Sequence, residues 1–83
     1  MKTQYYFFYG EHCGACKEIK PLINKFSLSN DVRYLEDNGQ NEEIYDSFNI
    51  QYLPTLILAS EDFSTYSKFE GEKQIKNYLI NKI

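Results

Sequence analysis

The sequence predicts an α/β fold in which three helices flank a four-stranded mixed sheet, in the order β-α-β-α-β-β-α. Three observations support this prediction. A continuous aromatic run occupies residues 5–9, apolar residues at helical spacing follow it directly, and three further strand-like segments alternate with turn-forming residues. At 83 residues the chain has room for one hydrophobic core, so we expect a single domain spanning residues 1–83.

The first three elements form a β-α-β unit. The aromatic run 5–9 is too short to span a membrane, ends at Gly10, and is typical of a strand buried on both faces. The helix after it presents one apolar side, formed by Cys16, Ile19, Ile23 and Phe26. The brief alternation at 32–35 predicts a second strand. Because such crossovers keep their two strands parallel, we expect the first two strands to be neighbours.

The middle of the chain predicts a short helix and a third strand. Asn41 can cap a second helix that ends near Asn49, with two glutamates in its first turn. Residues 55–59 are largely apolar, which is typical of a central strand. Pro54 precedes this strand directly, at a position where no ladder donor is required.

The last part of the chain predicts a hairpin and a helix. Residues 60–63 form a polar connection, and residues 64–69 alternate polar and aromatic side chains, as an edge strand does. This fourth strand should run antiparallel to the third. After Gly71, residues 72–82 have the amphipathic spacing of a final helix. The residues that should face inward are Ile75, Tyr78 and Leu79.

Composition and charge exclude several classes of function. The formal net charge is −3 and Arg33 is the single arginine, so the chain lacks the clustered cations that bind nucleic acid. The first residues lead directly into the aromatic strand, without an apolar leader or a small-residue cleavage site. We therefore expect a soluble, cytoplasmic protein with no nucleic acid and no membrane partner. We also expect a monomer.

Both cysteines lie at the junction between the aromatic strand and the first helix, three positions apart. Cys13 should lie at or just before the helix N-terminus, where unpaired backbone N–H groups and the helix dipole favour a thiolate. His12 and Lys17 can add positive potential there. Cys16 should lie one turn further along, on the buried side. We therefore predict that Cys13 is the acidic nucleophile and that Cys16 is the thiol that resolves its adducts.

A structural role and a metal-binding role for the cysteine pair are both less favoured. A structural disulfide at this spacing would close too small a loop to stabilise the fold much. A zinc site needs about four ligands. Cys13, Cys16 and His12 supply fewer, so no metal is predicted within one chain, although zinc shared across a dimer stays open. A cysteine pair in a short chain otherwise indicates a redox centre in a reducing compartment.

The element order and several short motifs resemble the thioredoxin family, in the compact form shared with glutaredoxins. The resemblance covers nearly the whole chain. Its residues are Cys13-Gly14-Ala15-Cys16-Lys17, Pro21, Leu53-Pro54-Thr55 and Gly71. Any one of these motifs would be weak alone, but the combination is specific. The resemblance therefore implies a thioredoxin-like fold and an enzyme that exchanges disulfides with protein substrates through a mixed disulfide.

The resemblance also implies a substrate site around the cysteines. A cis peptide bond before Pro54 would lie against the cysteine pair and leave the Leu53 backbone free to pair with an extended substrate. The implied substrate-binding residues are His12, Gly14, Ala15, Leu53 and Pro54. No cofactor is implied beyond the redox-active disulfide. The implied partners are disulfide-containing proteins, with a thioredoxin reductase or glutathione as the electron source.

Three departures from the family pattern concern this site. His12 stands where thioredoxins usually have tryptophan, and Ala15 stands where they usually have proline. Phe7 occupies the strand position of their buried aspartate. Proton transfer from Cys16 must therefore use water, His12 or another carboxylate such as Glu11.

Two alternative functions stay open. One is a glutaredoxin-like hydrogen donor, for example for ribonucleotide reductase. The chain lacks two glutaredoxin features, a tyrosine between the cysteines and a Gly-Gly segment followed by aspartate near Gly71, so it is closer to thioredoxins. The other is a non-catalytic module that uses the fold for binding and leaves the cysteines idle. Titration of the Cys13 thiol would separate that module from an enzyme.

Overall fold

The computed structural model describes residues 3–82 and contains the predicted elements in the predicted order. The strands in this range are β1 (Thr3–Tyr9), β2 (Val32–Glu36), β3 (Thr55–Ser60) and β4 (Tyr66–Glu70). The helices in this range are α1 (Gly14–Phe26), α2 (Glu42–Ser47) and α3 (Glu72–Ile80). None of these helices has the length and apolar character needed to cross a membrane.

The strands form one mixed sheet in the order β2-β1-β3-β4. Strand β1 pairs in parallel with β2, and Tyr9 at the end of β1 lies opposite Glu36 at the end of β2. Strand β3 pairs antiparallel with both β1 and β4. The structure therefore confirms the predicted fold class, including the central third strand and the antiparallel fourth strand.

Alternation along β1 sends its side chains to the two faces of the sheet. Phe7 packs with residues of α1 and α3 in one core cluster, and Phe8 packs with residues near α2 in a second cluster. Both rings are fully buried, as predicted for a strand covered on both faces. The ends of the aromatic run are less covered, because Tyr5 and Tyr9 are half-buried.

The ends of β4, α2 and α3 differ from the sequence prediction, and α3 ends at Ile80 rather than at residue 82. Strand β4 begins at Tyr66 rather than at residue 64 because the Asp62 carboxylate accepts a 3.1 Å hydrogen bond from the Ser64 N–H, which extends the turn. Helix α2 ends at Ser47 rather than near Asn49, since Asn49 itself has a positive φ of 51°.

Asn41 occupies the N-cap position of α2, as predicted, but its side chain makes no capping hydrogen bond. Its Nδ2 instead donates to the carbonyl of Glu36, 2.8 Å away, at the end of β2. The Tyr45 hydroxyl donates to the Leu35 carbonyl at 2.9 Å. These bonds fasten α2 to the carboxyl end of β2, which is the end of the sheet that leads to the cysteines.

Candidate active site

Cys13 is the N-cap residue of α1, as its place in the sequence predicted. Its backbone is extended, and its Sγ accepts a 3.1 Å hydrogen bond from the Cys16 backbone N–H. This bond satisfies one of the N–H groups that have no partner within the first turn of a helix. The same groups, with the helix dipole, stabilise negative charge on the sulfur when the protein is reduced. Cys13 thus has the surroundings of a nucleophilic thiolate.

Cys16 lies one helical turn after Cys13 and is 2% exposed. The two residues form a disulfide, with their Cα atoms 5.2 Å apart. Cys13 is half-buried and is therefore the more accessible residue of the pair. The predicted positions of both cysteines, one at the helix start and one on its buried side, are confirmed.

The loop that contains the Leu53–Pro54 peptide bond lies beside Cys13, and the bond is cis, as the family resemblance implied. Pro54 is buried, and its carbonyl accepts a 2.8 Å hydrogen bond from the Gly71 N–H just before α3. The Leu53 side chain packs over Gly10. A Cβ atom placed on Gly10 would lie 3.2 Å from Leu53 Cδ1 and 3.9 Å from Cys13 Cβ. The loop is thus held between α3 and the turn that carries Cys13.

The main chain of Leu53 is unpaired among the described residues. Within the described range, 3–82, neither its N–H nor its C=O makes a hydrogen bond. An unpaired donor and acceptor on one residue can pair with an extended peptide, as happens when a strand is added to a sheet. Leu53 therefore has the free backbone that the resemblance implied.

A cleft of about 370 Å³ opens beside Cys13. His12 and Leu53 line it together with Cys13, so three of the predicted site residues meet at one surface. His12 is exposed in the turn between β1 and α1. Gly14 and Ala15 do not line this cleft, because they lie in the first turn of α1, where Gly14 is exposed and Ala15 half-buried.

A second cavity, of about 270 Å³, is lined by Cys16. Its lining also includes Glu36 and Lys20, which the sequence analysis did not place at the site. The Lys20 ammonium lies 5.0 Å from the centroid of the Tyr9 ring, and burial, together with the nearby Glu36 carboxylate, raises the pKa of Tyr9. Only the register of the β1–β2 pair could have predicted this place for Glu36, because Glu36 lies opposite Tyr9 in that parallel pair.

Phe7 fills the strand position at which the family resemblance implies a buried aspartate. Its ring is fully buried and packs against Tyr9 and Tyr34, with centroid distances of 5.7 Å and 5.9 Å. No carboxylate therefore reaches the cysteines from this position of β1, and the group that handles the Cys16 proton must lie elsewhere.

Metal-ligating side chains do not converge in the described part of the chain. Among residues 3–82, no three histidine, cysteine, aspartate or glutamate side chains are arranged to hold a metal ion. Cys13 and Cys16 are bonded to each other, so neither sulfur is free to bind a metal in this state.

Comparison with known sequences assigns the chain to a family. The thioredoxin family model matches residues 5–83. A thioredoxin from Rickettsia felis is 33% identical over 79 residues, which is 92% of this chain and 73% of that protein.

Solved structures share the fold. Thioredoxin f2 from Chlamydomonas reinhardtii has a TM-score of 0.76 at 28% identity, over 96% of this chain and 77% of that one. The short form of spinach chloroplast thioredoxin f has a TM-score of 0.81 at 20% identity, over 98% of this chain and 74% of that one. At this identity the similarity shows the fold alone. The family match spans most of the first strand, the cysteine helix and the cis-proline loop, and the chain therefore belongs to the thioredoxin family of thiol-disulfide oxidoreductases.

Proposed function

We propose that this chain reduces disulfide bonds in other proteins through Cys13 and Cys16. The observation that carries the proposal is the arrangement of the two sulfurs. Cys13 caps α1 beside a cleft, and Cys16 is buried one turn further along, within disulfide distance. In this arrangement one sulfur captures a substrate and the other releases it.

The first step is attack on the substrate. In the reduced protein, the Cys13 thiolate attacks one sulfur of a substrate disulfide, the substrate S–S bond breaks, and the second substrate sulfur leaves as a thiolate that takes a proton from water. A mixed disulfide then joins Cys13 to the substrate. The helix N-terminus favours Cys13 as the attacking residue, because it stabilises charge on that sulfur.

The second step releases the substrate. Cys16 loses its proton and attacks Cys13 Sγ, the bond between Cys13 and the substrate breaks, and the substrate leaves as a second thiolate. Because Cys16 is only 2% exposed, it reaches Cys13 but not a substrate in solution. Two electrons have then passed from the cysteine pair to the substrate, and the pair is left as the disulfide.

The cleft beside Cys13 is the proposed substrate-binding surface. The free N–H and C=O of Leu53 pair with an extended segment of the substrate, which holds its disulfide over Cys13. His12 lines the same cleft and contacts that segment. Pro54, Gly14 and Ala15 are proposed to contact the substrate around the two sulfurs.

Serine variants test the roles of the two cysteines. We expect Cys13→Ser to abolish reduction of insulin by the dithiothreitol-reduced protein, because no nucleophile remains at the cleft. We expect Cys16→Ser to accumulate a covalent adduct with insulin, because no second sulfur releases it. The readouts are the rate of insulin precipitation and a non-reducing gel.

Lys25→Ser is the matched control, because it places serine on the exposed side of the same helix. It should reduce insulin at the wild-type rate. If Cys13→Ser reduced insulin as fast as the wild type does, the proposed roles of the cysteines would be wrong.

The oxidised pair must be reduced again before the next cycle. A thioredoxin reductase and glutathione are the two proposed electron sources. The family matches favour the reductase. Rates of insulin reduction with thioredoxin reductase and NADPH, compared with rates with glutathione, assign the source.

A further inference from the structure

The release step requires a group that accepts the proton of Cys16. The thiolate rather than the thiol is the nucleophile, and burial makes a thiol hold its proton more tightly. Cys16 is 2% exposed, so the acceptor must lie in the cavity that its side chain lines. Phe7 supplies no carboxylate from the strand beneath α1.

Strand register brings one carboxylate to the side of the sheet that α1 covers. Tyr9 lies opposite Glu36 in the parallel β1–β2 pair, and residues paired in this way point to the same face. Phe7 and Tyr9 belong to the cluster beneath α1, so Glu36 is on that face too. The other residues of β1 and β2 on this face are Thr3, Tyr5, Phe7, Tyr9, Val32 and Tyr34, none of which carries a carboxylate.

The cavity of about 270 Å³ connects Glu36 with Cys16, since both residues line it. This volume has room for several water molecules, each of which occupies about 30 Å³ in the liquid. A water molecule between the Cys16 thiol and the Glu36 carboxylate can therefore carry the proton from one group to the other.

Glu36 is better placed for this role than Glu11, which lines the same cavity. Glu11 is exposed in the turn after β1, whereas Glu36 is half-buried at the end of a strand. The Glu36 carbonyl accepts hydrogen bonds from Asn41 Nδ2 at 2.8 Å and from the Asn38 N–H at 3.0 Å. These bonds hold the Glu36 backbone in place, so the position of its Cβ atom beside the cavity is fixed.

The other groups around the cavity are poorer proton acceptors. Titratable or charged groups surround Glu36 on β1, the turn after it, α1, the loop after β2, and α2. They are Tyr9, Glu11, His12, Lys17, Lys20, Asp37, Glu42, Tyr45 and Asp46. His12, Asp37, Glu42 and Asp46 do not line the cavity that Cys16 lines. The lysine ammonium groups have no free lone pair. Burial, together with the nearby Glu36 carboxylate, raises the pKa of Tyr9, so its phenol stays protonated.

We infer that Glu36 is the catalytic base for Cys16, a role that rests on the proposed disulfide exchange. The Glu36 carboxylate takes the Cys16 proton through a water molecule while the Cys16 sulfur forms its bond to Cys13 and the substrate thiolate leaves. The protonated Glu36 then returns the proton to solvent or to the departing thiolate. No oxidant or reductant other than the substrate disulfide is consumed.

The reaction of the reduced protein with dithiobis(nitrobenzoic acid) separates the two steps. Attack by Cys13 releases one thionitrobenzoate, and attack by Cys16 on the mixed disulfide releases a second, so stopped-flow absorbance shows two phases. Thionitrobenzoate is a good leaving group, so the second phase reports activation of Cys16. We expect Glu36→Gln to slow the second phase by about 10-fold to 100-fold. The first phase should change much less and should not slow, because Glu36 also lines the cleft beside Cys13 and its removal takes away only a negative charge there.

Three further variants make this test specific. Glu36→Asp should restore much of the second-phase rate, because it keeps a carboxylate at this position. The deficit of Glu36→Gln should shrink as the pH rises, because hydroxide then removes the Cys16 proton without the carboxylate. Glu11→Gln, which removes the other carboxylate of the cavity, should slow the second phase less than Glu36→Gln does. Glu18→Gln, which removes an exposed carboxylate of α1 that lines neither the cavity nor the cleft, should behave as the wild type.

The outcomes separate this inference from the function on which it rests. An unchanged second phase in Glu36→Gln, or an equal slowing in Glu11→Gln, would overturn the role of Glu36 and leave disulfide exchange intact. A wild-type protein that showed no second phase would overturn both.

Discussion

Gly71 links the last helix to the cis-proline loop through one backbone conformation. Its φ of 87° and ψ of 157° lie in a region that only glycine adopts readily, and its N–H donates to the Pro54 carbonyl at 2.8 Å. We expect Gly71→Ala to lower the free energy of unfolding by about 1–3 kcal/mol, because the Cβ atom strains this conformation. Urea unfolding followed by far-ultraviolet circular dichroism measures the loss.

Gly14→Ala is the control for this prediction. Gly14 begins α1 without a positive φ, and a Cβ atom there would have no heavy atom within 4 Å. Its unfolding free energy should stay within about 0.5 kcal/mol of the wild-type value. Equal stability of the two alanine variants would show that the Gly71 conformation is not strained by a side chain.

At the scale of single residues, the sequence predicted the place of a functional side chain where that place depends on one helix or strand alone. Cys13 at the start of a helix and Cys16 on its buried side follow from spacing within one element. Glu36 was not found, because its place at the site depends on which residue of β2 pairs with Tyr9. The cis bond before Pro54 followed from the family resemblance and not from local rules.

The turn between β3 and β4 is organised by the carboxylate of Asp62. It accepts hydrogen bonds from the Ser64 hydroxyl at 2.7 Å, the Ser64 N–H at 3.1 Å and the Ser60 hydroxyl at 2.8 Å. These bonds lower the pKa of Asp62 from 3.8 to about 2.

We expect Asp62→Asn to be less stable than the wild type above about pH 5, where the carboxylate is charged in both the folded and the unfolded chain. Because the folded-state pKa is the lower one, the wild type should lose this advantage as the pH falls from about 4 towards 2. Thermal unfolding over this pH range measures the difference. Glu61→Gln removes the neighbouring exposed carboxylate, and a similar pH dependence in that variant would contradict the role of Asp62.

At the scale of elements, the order and pairing of strands and helices were predictable and their ends were less so. Helix α3 ends at Ile80 rather than at residue 82, and β4 begins two residues late because of the Asp62 turn. Asn41 stands at the predicted N-cap but donates to Glu36 instead of capping α2. Each difference arises from a side-chain hydrogen bond or a local dihedral angle that periodicity does not report.

At the scale of the whole molecule, the two faces of the sheet are covered unequally. Helices α1 and α3 pack together on one face, whereas the other face has α2 and a group of aromatic rings. Phe48 is the buried centre of that group, with ring centroids 5.5 Å from Tyr6 and 5.1 Å from Tyr66.

We expect Phe48→Ala to lower the free energy of unfolding by about 3–5 kcal/mol, because it leaves a cavity beneath a helix of six residues. That loss is a large part of the about 5–15 kcal/mol that typical domains possess. Phe63→Ala is the matched control on the same face, where the ring is 54% exposed, and it should cost less than about 1 kcal/mol. Equal losses in urea unfolding would show that burial of Phe48 does not dominate this face.

The overall architecture could be predicted because each segment has a clear period and the connections are short. The aromatic run of β1 correctly indicated a strand covered on both sides, and it supplies a fully buried ring to each core cluster. The unequal cover of the two faces was not predicted, since it depends on how many residues of α2 and of the β3–β4 connection pack there.

One hydrogen bond joins the first strand to the last helix, between the hydroxyl groups of Tyr5 in β1 and Tyr78 in α3, 2.7 Å apart. Ile75 and Leu79 from α3 also complete the cluster that surrounds Phe7. Ribosomes deliver a chain from its N-terminus, so the first strand emerges long before the helix that finishes its cover. Stable folding during biosynthesis is therefore a late event, because the aromatic side chains on this face of β1 have their full cover only once α3 has emerged.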